Sequence, residues 1–265
     1  MDGAPAADSA AIVVTGTRAT GQVAADSAAP IQLLGADELN RVGQPNLNQA
    51  LTQLVPSFSA QTQGTDMSNF SLSARLRGLN PNHTLVLVNG KRRHGSAILQ
   101  VIAGPFQGSA APSIDLIPPD AVQRIEVFQE GAAAVYGSDA IAGVVNIILK
   151  SNDFGGTAKV TGGQYFDGEG DTLSVSGNLG FQIGDSGFLN LTGFHRRNDY
   201  TFQGDGQTSV RDIDGNLVTS IPEAFRPIYE ALDLRNINGG QAKSDLNIGF
   251  FNAGYDFGEV EFYSF

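Results

Sequence analysis

The sequence predicts two different halves: a small α+β domain, followed by the opening antiparallel strands of a transmembrane β-barrel. The aromatic content supports this division, because only five of the 22 Phe and Tyr residues precede Lys150. Helix and strand signals are mixed before Lys150, whereas alternating polar and apolar segments separated by Gly/Asp turns follow it. The turns between these later segments differ greatly in length, which is typical of membrane barrels.

Composition excludes several classes of protein. The net charge of −11 argues against nucleic-acid binding, which needs a cationic face to neutralise phosphates. The absence of cysteine excludes disulfides and thiolate metal sites. The longest uncharged stretch, residues 95–114, contains Pro105 and Pro112 and therefore cannot be a spanning helix. Any membrane span must be made of strands.

The first half begins with residues 1–30, which are rich in Ala, Ser and Asp and are expected to be flexible. Within them, the residues Ile12, Val13, Val14, Thr15 and Gly16 form a short β-prone island. Asn46 precedes an amphipathic pattern and is predicted to cap a helix that stops before Pro56. A shorter helix is predicted over residues 37–42.

Four strands are predicted in this half. Residues 72–76 alternate in polarity and end at Gly78, and Thr84–Val88 is followed by the tight-turn dipeptide Asn89-Gly90. Residues 118–120, with two prolines, predict a short turn or helix ahead of a strand at 125–128. An apolar strand is predicted at Gly143–Leu149.

The second half predicts a strand meander. Apolar residues from Leu173 to Ile183 alternate with polar residues from Thr172 to Gln182, as a barrel strand requires and as a soluble sandwich strand also shows. Loop length separates the two interpretations. The turns at Asp185 and Gly258 are short, whereas residues 200–243 form a long polar connection. The predicted strands cover residues 157–166, 172–183, 188–200 and 245–257, and a fifth begins thereafter.

Several motifs together resemble the TonB-dependent receptors, the energy-coupled importers of the Gram-negative outer membrane. They are Arg-Leu-Arg-Gly-Leu at 75–79, Leu-Val-Leu-Val-Asn-Gly at 85–90, Arg-Ile-Glu-Val at 124–127 and Tyr-Gly-Ser-Asp-Ala-Ile-Ala-Gly-Val-Val-Asn-Ile-Ile at 136–148. The resemblance implies an α+β plug domain at 31–150 after a flexible segment at 1–30. It implies the opening antiparallel strands of an incomplete transmembrane β-barrel at 151–265.

The resemblance also implies partners and contacts. Residues 12–16 look like the TonB box, a segment that can pair with the sheet edge of a TonB-type energy-transducing protein. Plug–barrel contacts are expected at Arg75, Arg77, Gln129 and Glu130; in the family a second arginine stands where this chain has Gln129. The barrel would contact outer-membrane lipid, and the expected location is the cell outer membrane.

Three plug segments, at 61–69, 79–83 and 94–112, are expected to face the outside and to carry the ligand. The candidate ligand-binding residues are Met67, Asn82, His94, Gln100, Phe106 and Gln107. The small-molecule ligand, whether siderophore, haem, cobalamin or carbohydrate, is left open. No resident cofactor is expected, and the three histidines have no spacing suited to a shared metal site.

Two other classes of function compete with an importer. One is a ligand-binding β module that does not transport; the other is an enzyme on an unfamiliar β scaffold. The sequence shows no nucleophile or acid/base constellation, so no catalytic residue is assigned and an enzyme is not expected. The chain is expected to be a fragment that cannot transport by itself, because four or five strands cannot close around so large a plug.

Overall fold

The computed structural model describes residues 31–59, 72–97, 99, 107–129, 132–166, 168–201, 214, 216–231 and 242–265. Within these ranges the strands form two five-stranded sheets, one from each half of the chain. Residues 12–16, Met67, Gln100, Phe106 and Glu130 lie outside the described residues, so their predicted roles stay predictions.

The first sheet is mixed and belongs to the plug domain. Its strands lie in the order β1-β4-β5-β2-β3. β2 and β5 are parallel, and all other pairs are antiparallel. The strand bounds are Ile31–Gly35 (β1), Thr84–Val88 (β2), Lys91–Arg92 (β3), Val122–Phe128 (β4) and Gly143–Leu149 (β5).

Short helices cover both sides of this sheet. They are Ala36–Arg41 (α1), Leu47–Leu54 (α2) and Ala132–Tyr136 (α3). α1 and α2 pack in one core cluster, and α3 packs in a second cluster with the alternate residues of β2 and β5. The fully buried Leu47 and Leu51 of α2 pack in one cluster with Ile125 and Ile147 of the central strands. Burial of these large aliphatic side chains supplies the main stabilisation of the domain, on the order of 1.5–3 kcal/mol for each.

Local chemistry confirms most of the predicted plug elements. The Asn46 side chain accepts a hydrogen bond from the backbone N–H of Gln49 (2.8 Å) and so caps α2. Asn89 and Gly90 both have positive φ, 48° and 75°, as the two-residue turn between β2 and β3 requires. The turn predicted at 118–120 is a 3₁₀ turn over Pro119–Ala121.

The strand predicted at 72–76 is wrong. This segment makes only the isolated bridges Ser73 to Ser113 and Leu76 to Phe58, and both alternating faces are largely buried. The segment is buried against α2 and the core of the sheet rather than paired in a ladder, so its alternation does not mark a half-exposed strand.

The second sheet is an antiparallel meander in the order β10-β9-β8-β7-β6, which confirms the predicted arrangement of four strands and part of a fifth. The strands are Gly156–Gly163 (β6), Thr172–Ile183 (β7), Gly187–Asn198 (β8), Ser244–Asp256 (β9) and Glu261–Ser264 (β10). The sheet does not close, so the barrel is incomplete.

The connections of this sheet are of unequal length. β7 joins β8 through three residues and β9 joins β10 through four, whereas residues 199–243 connect β8 to β9. The long connection contains a short helix, Arg226–Ala231 (α4), which its irregular polar sequence did not predict. None of the helices within the described ranges is long and apolar enough to cross a membrane.

Candidate functional site

The second sheet has a burial pattern opposite to that of a soluble sheet. Along β7 the polar side chains of Ser174, Ser176 and Asn178 are at most 7% exposed, whereas the neighbouring Leu173 and Leu179 are 48% and 54% exposed. The polar face packs on the plug domain and the apolar face points outward. A water-soluble sandwich would bury the apolar face, so this arrangement requires an apolar surrounding.

An amide network fills part of the polar face. The Asn178 side chain donates to Asn190 on the adjacent strand and to the Thr192 hydroxyl (2.8 Å). The Asn190 side-chain amide donates in turn to Asn152 of the plug-to-sheet connection (2.7 Å). Because buried amides are costly without partners, these bonds fix the connection against the sheet. Gly180 lets it approach closely, since an added Cβ would lie 2.3 Å from the Asn152 carbonyl oxygen.

The β2–β3 turn is a second contact point. The Asn89 side chain donates to Asn252 Oδ1 on β9 (3.2 Å) and accepts from the backbone N–H of Leu149 (2.9 Å). Asn252 also donates to the Lys150 carbonyl oxygen (3.0 Å). The turn, the end of β5 and the sheet are therefore joined through one pair of asparagines.

A third contact involves the segment that leads into β4. The buried Asp120 carboxylate accepts a hydrogen bond from the Ser176 hydroxyl on β7. Burial lowers the pKa of Lys150, and the nearby Asp120 carboxylate opposes that shift. The segment is thus held at the sheet by a polar bond beside a half-buried cation.

Asp115 and Arg196 form a buried ion pair between plug and sheet. Arg196 Nη2 lies 3.3 Å from Asp115 Oδ2, and the side chains are only 9% and 6% exposed. Burial raises the pKa of the Asp115 carboxyl, and the Arg196 guanidinium opposes this. Asp115 Oδ1 and Arg196 Nε and Nη1 have no hydrogen-bond partner within the described residues. The pair is desolvated and only partly satisfied, which limits its net stabilisation.

Three of the predicted plug–barrel residues, Arg75, Arg77 and Gln129, take part in hydrogen bonds within the plug. Arg77 has a positive φ of 55° and donates to the Gln129 carbonyl oxygen. The Arg75 side chain donates to the Gly78 carbonyl oxygen (2.9 Å). A contact between these residues and a barrel carboxylate stays a prediction.

The structure brings together two of the predicted ligand-facing segments. The Asn82 side chain accepts from the backbone N–H of Ala110 (3.3 Å) and lies 3.5 Å from the Ser109 hydroxyl. The backbone N–H of Ser96 bonds to the Ala110 carbonyl oxygen (3.0 Å). Residues 79–83, 94–97 and 107–112 therefore form one surface at the start of β2, opposite the end at Asn89.

His94 and Gln107 are exposed in these segments. The His94 imidazole contacts the carbonyl oxygen of the next residue, Gly95, through Nδ1 (3.0 Å). Asn82 instead holds the segments together, so its structural role accompanies any role in ligand binding.

Sequence reasoning missed Asp115, Arg196 and the asparagines at 89, 152 and 252 as interface residues. The sequence could have indicated Arg196, because it lies an even number of residues from the inward-facing Asn190 and Thr192 on β8 and therefore points to the same face. Its partner could not be found from the sequence, because Asp115 lies in a loop 81 residues away.

An α+β domain held on the polar inner face of an antiparallel sheet with an apolar outer face defines a plug-and-barrel membrane protein. Residues 23–144 match the profile of the TonB-dependent Receptor Plug Domain. The chain therefore contains a TonB-dependent receptor plug domain, and the antiparallel strands of an incomplete barrel follow it. Proteins of this family are outer-membrane transporters and receptors rather than enzymes.

Curated relatives agree with this assignment. A vitamin B12 transporter from Photobacterium profundum is 32% identical over 160 residues, which are 60% of this chain and 23% of that protein. The rhizobactin receptor from Rhizobium meliloti is 27% identical over 251 residues, 92% of this chain and 30% of that protein. The chain spans less than a third of the length of either relative.

Solved structures share the fold. A variant of the ferric enterobactin receptor from Pseudomonas aeruginosa, in complex with enterobactin, has a TM-score of 0.58 and 19% identity. The similarity covers 86% of this chain and 31% of that receptor.

Proposed function

We propose that this chain is part of an outer-membrane receptor that binds an extracellular small molecule and imports it with energy supplied through a TonB-type protein. The observation that carries the proposal is the inverted second sheet, whose buried polar face holds the plug and whose outer face is apolar. The arrangement suits a wall in lipid around a water-compatible plug.

The lengths of the connections between strands indicate which end of the sheet faces the outside of the cell. Short turns in barrels of this type face the periplasm and long loops face the outside. The turns at Asp185 and Gly258 would then be periplasmic, and the 199–243 connection extracellular. β5 leads into β6 at the short-turn end, so the start of β2, with Asn82, faces the outside.

Under this proposal the candidate residues divide by side. Residues 12–16 would engage the TonB-type partner in the periplasm. Asn82, His94 and Gln107, with Met67, Gln100 and Phe106 of the neighbouring segments, would meet the ligand. Arg75, Arg77, Gln129 and Glu130 would contact parts of the wall.

The test separates binding from energised uptake in the intact receptor that contains this chain. Deleting residues 12–16 is expected to abolish uptake of its ligand by whole cells and to leave the binding affinity of the purified receptor unchanged, because the segment couples but does not shape the site. The control deletes the same number of residues from the same N-terminal segment, 24–28, which lack the β-prone side chains of 12–16, and is expected to retain uptake. Equal loss of binding and uptake would contradict the proposal. Uptake that survives the deletion of 12–16 would also contradict it, because the segment would then not couple the receptor to a TonB-type protein.

A further inference from the structure

A groove of about 530 Å³ lies between the polar side of α2 and the ends of β6 and β7. It opens beside the β6–β7 turn and the last residue of β8, which is the end of the sheet that carries the long 199–243 connection. Under the proposed function this is the extracellular end. The groove is therefore in reach of a ligand that enters from outside, and its size is within the range of small-molecule sites.

The lining of the groove is uncharged and includes several amide side chains. Amide side chains come from Gln44, Asn46, Gln49 and Gln53, and a hydroxyl comes from Thr161 on the opposite wall. None of the described residues that line it carries a formal charge at neutral pH. An anionic ligand would lose its hydration there without meeting a cation, which is unfavourable. The groove thus suits a neutral molecule rich in hydrogen-bonding groups.

One acceptor in the groove is left without a protein partner. The Gln49 side-chain oxygen Oε1 is buried and makes no hydrogen bond to any described residue. Gln49 and Gln53 are four residues apart on α2, so their side chains project from the same side of the helix into the groove. A buried acceptor without a partner is costly, and a ligand that donates a hydrogen bond to it would remove that cost.

An aromatic ring lies in the wall formed by the β6–β7 turn. The turn is closed by backbone bonds from Tyr165 to Glu169 and from Gly168 to Tyr165, both 3.0 Å. Gly170 leaves room for the Tyr165 ring, since an added Cβ would lie 2.6 Å from it. The Tyr165 side chain is 49% exposed, so one part of the ring is packed and the rest is available for stacking.

We propose that this groove is a binding site for a short neutral oligosaccharide. Amide side chains match sugar hydroxyls, which both donate and accept hydrogen bonds, and the Tyr165 ring matches the apolar face of a pyranose. The inference rests on the proposed function for the direction of access, and it names the substrate class that the function leaves open.

The experiment measures binding to the intact receptor by isothermal titration with maltotetraose, cellotetraose and xylotetraose, alongside ferric enterobactin and cobalamin. At least one of the three sugars is expected to bind, and Gln49→Leu and Gln53→Leu are each expected to weaken that binding roughly tenfold through loss of a ligand hydrogen bond. Gln182→Leu, an exposed glutamine at the far end of β7, is the matched control and is expected to leave the affinity unchanged.

Two results would overturn the inference: failure of all three sugars to bind, or sugar binding that Gln49→Leu and Gln53→Leu leave intact. Binding of ferric enterobactin or cobalamin without any sugar would also overturn it. In that case energised uptake of the bound compound, lost on deletion of residues 12–16, would show that the proposed function stands and only the ligand class is wrong.

Discussion

Replacing Arg196 with Gln should loosen the plug segment that carries Asp115 from the sheet. The substitution leaves the Asp115 carboxylate buried, 6% exposed, without its cation. Removing one partner of such a pair costs about 3–5 kcal/mol. A loss of about 3 kcal/mol in local stability corresponds to roughly 100-fold faster opening of the segment. Hydrogen exchange of the Ile114 and Ile117 amides, which are bonded to Leu72 and Ile114 carbonyl oxygens, measures that opening in the intact receptor.

A double variant and a pH series test the reasoning. Asp115→Asn combined with Arg196→Gln removes both charges, so most of the lost protection should return, because neutral replacements avoid the desolvation of two ions. The pKa of Asp115 is raised in the folded protein, so folding favours the protonated carboxyl and stability rises as pH falls through that pKa. Protection from exchange, which is the rate relative to that of an unstructured peptide at the same pH, should therefore rise on acidification in Arg196→Gln and not in the double variant. Equal exchange rates in the Arg196→Gln variant and the wild type would refute this account of the pair.

Two further substitutions test how the strands and the turn are held, each read as the urea-unfolding free energy of the intact receptor in detergent. Gly187→Ala should cost about 1–3 kcal/mol, because its Cβ would lie 2.3 Å from the Tyr255 ring. The control is Gly193→Ala on the same strand, whose Cβ would meet nothing within 4 Å. Equal losses of unfolding free energy in the two variants would contradict this explanation. Asn89→Ala should cost about 2 kcal/mol, and Asn89→Gly should cost clearly less. Both variants lose the bonds to Asn252 and Leu149, but only glycine adopts the positive φ without strain. An Ala variant as stable as the Gly variant would show that the positive φ does not determine the stability of this turn.

The sequence predicted the meander because its signals are local. The alternation from Thr172 to Ile183 matches the bounds of β7. The lengths of the turns predicted which ends of the strands lie at the same edge of the sheet. The Asn46 cap and the Asn89-Gly90 turn are likewise decided by nearby residues. These features need no knowledge of the rest of the chain.

Long-range features could not be read in the same way. The segment at 72–76 has strand-like alternation, but it is buried against α2 and the core of the sheet and pairs only through isolated bridges. β1 was not predicted, since its five residues form a strand only through pairing with β4. The pairs Asp115–Arg196 and Asn89–Asn252 join residues 81 and 163 positions apart, so only folding reveals them.

The proposed function requires the second sheet to point its apolar face into lipid and its polar face onto the plug. The chain has no cysteine, so single cysteines can be placed and spin-labelled without background. Spin labels are attached at Leu179→Cys and at its neighbour Asn178→Cys in the intact receptor in liposomes. The quantity measured is the frequency with which each label collides with oxygen and with a water-soluble nickel chelate.

The label at position 179 should collide strongly with oxygen, which concentrates in lipid, and weakly with the chelate. The label at position 178, which replaces a side chain 1% exposed against the plug, should be immobile and shielded from both. The opposite result, with position 179 accessible to the chelate and position 178 to oxygen, would contradict the inverted sheet and the importer it supports.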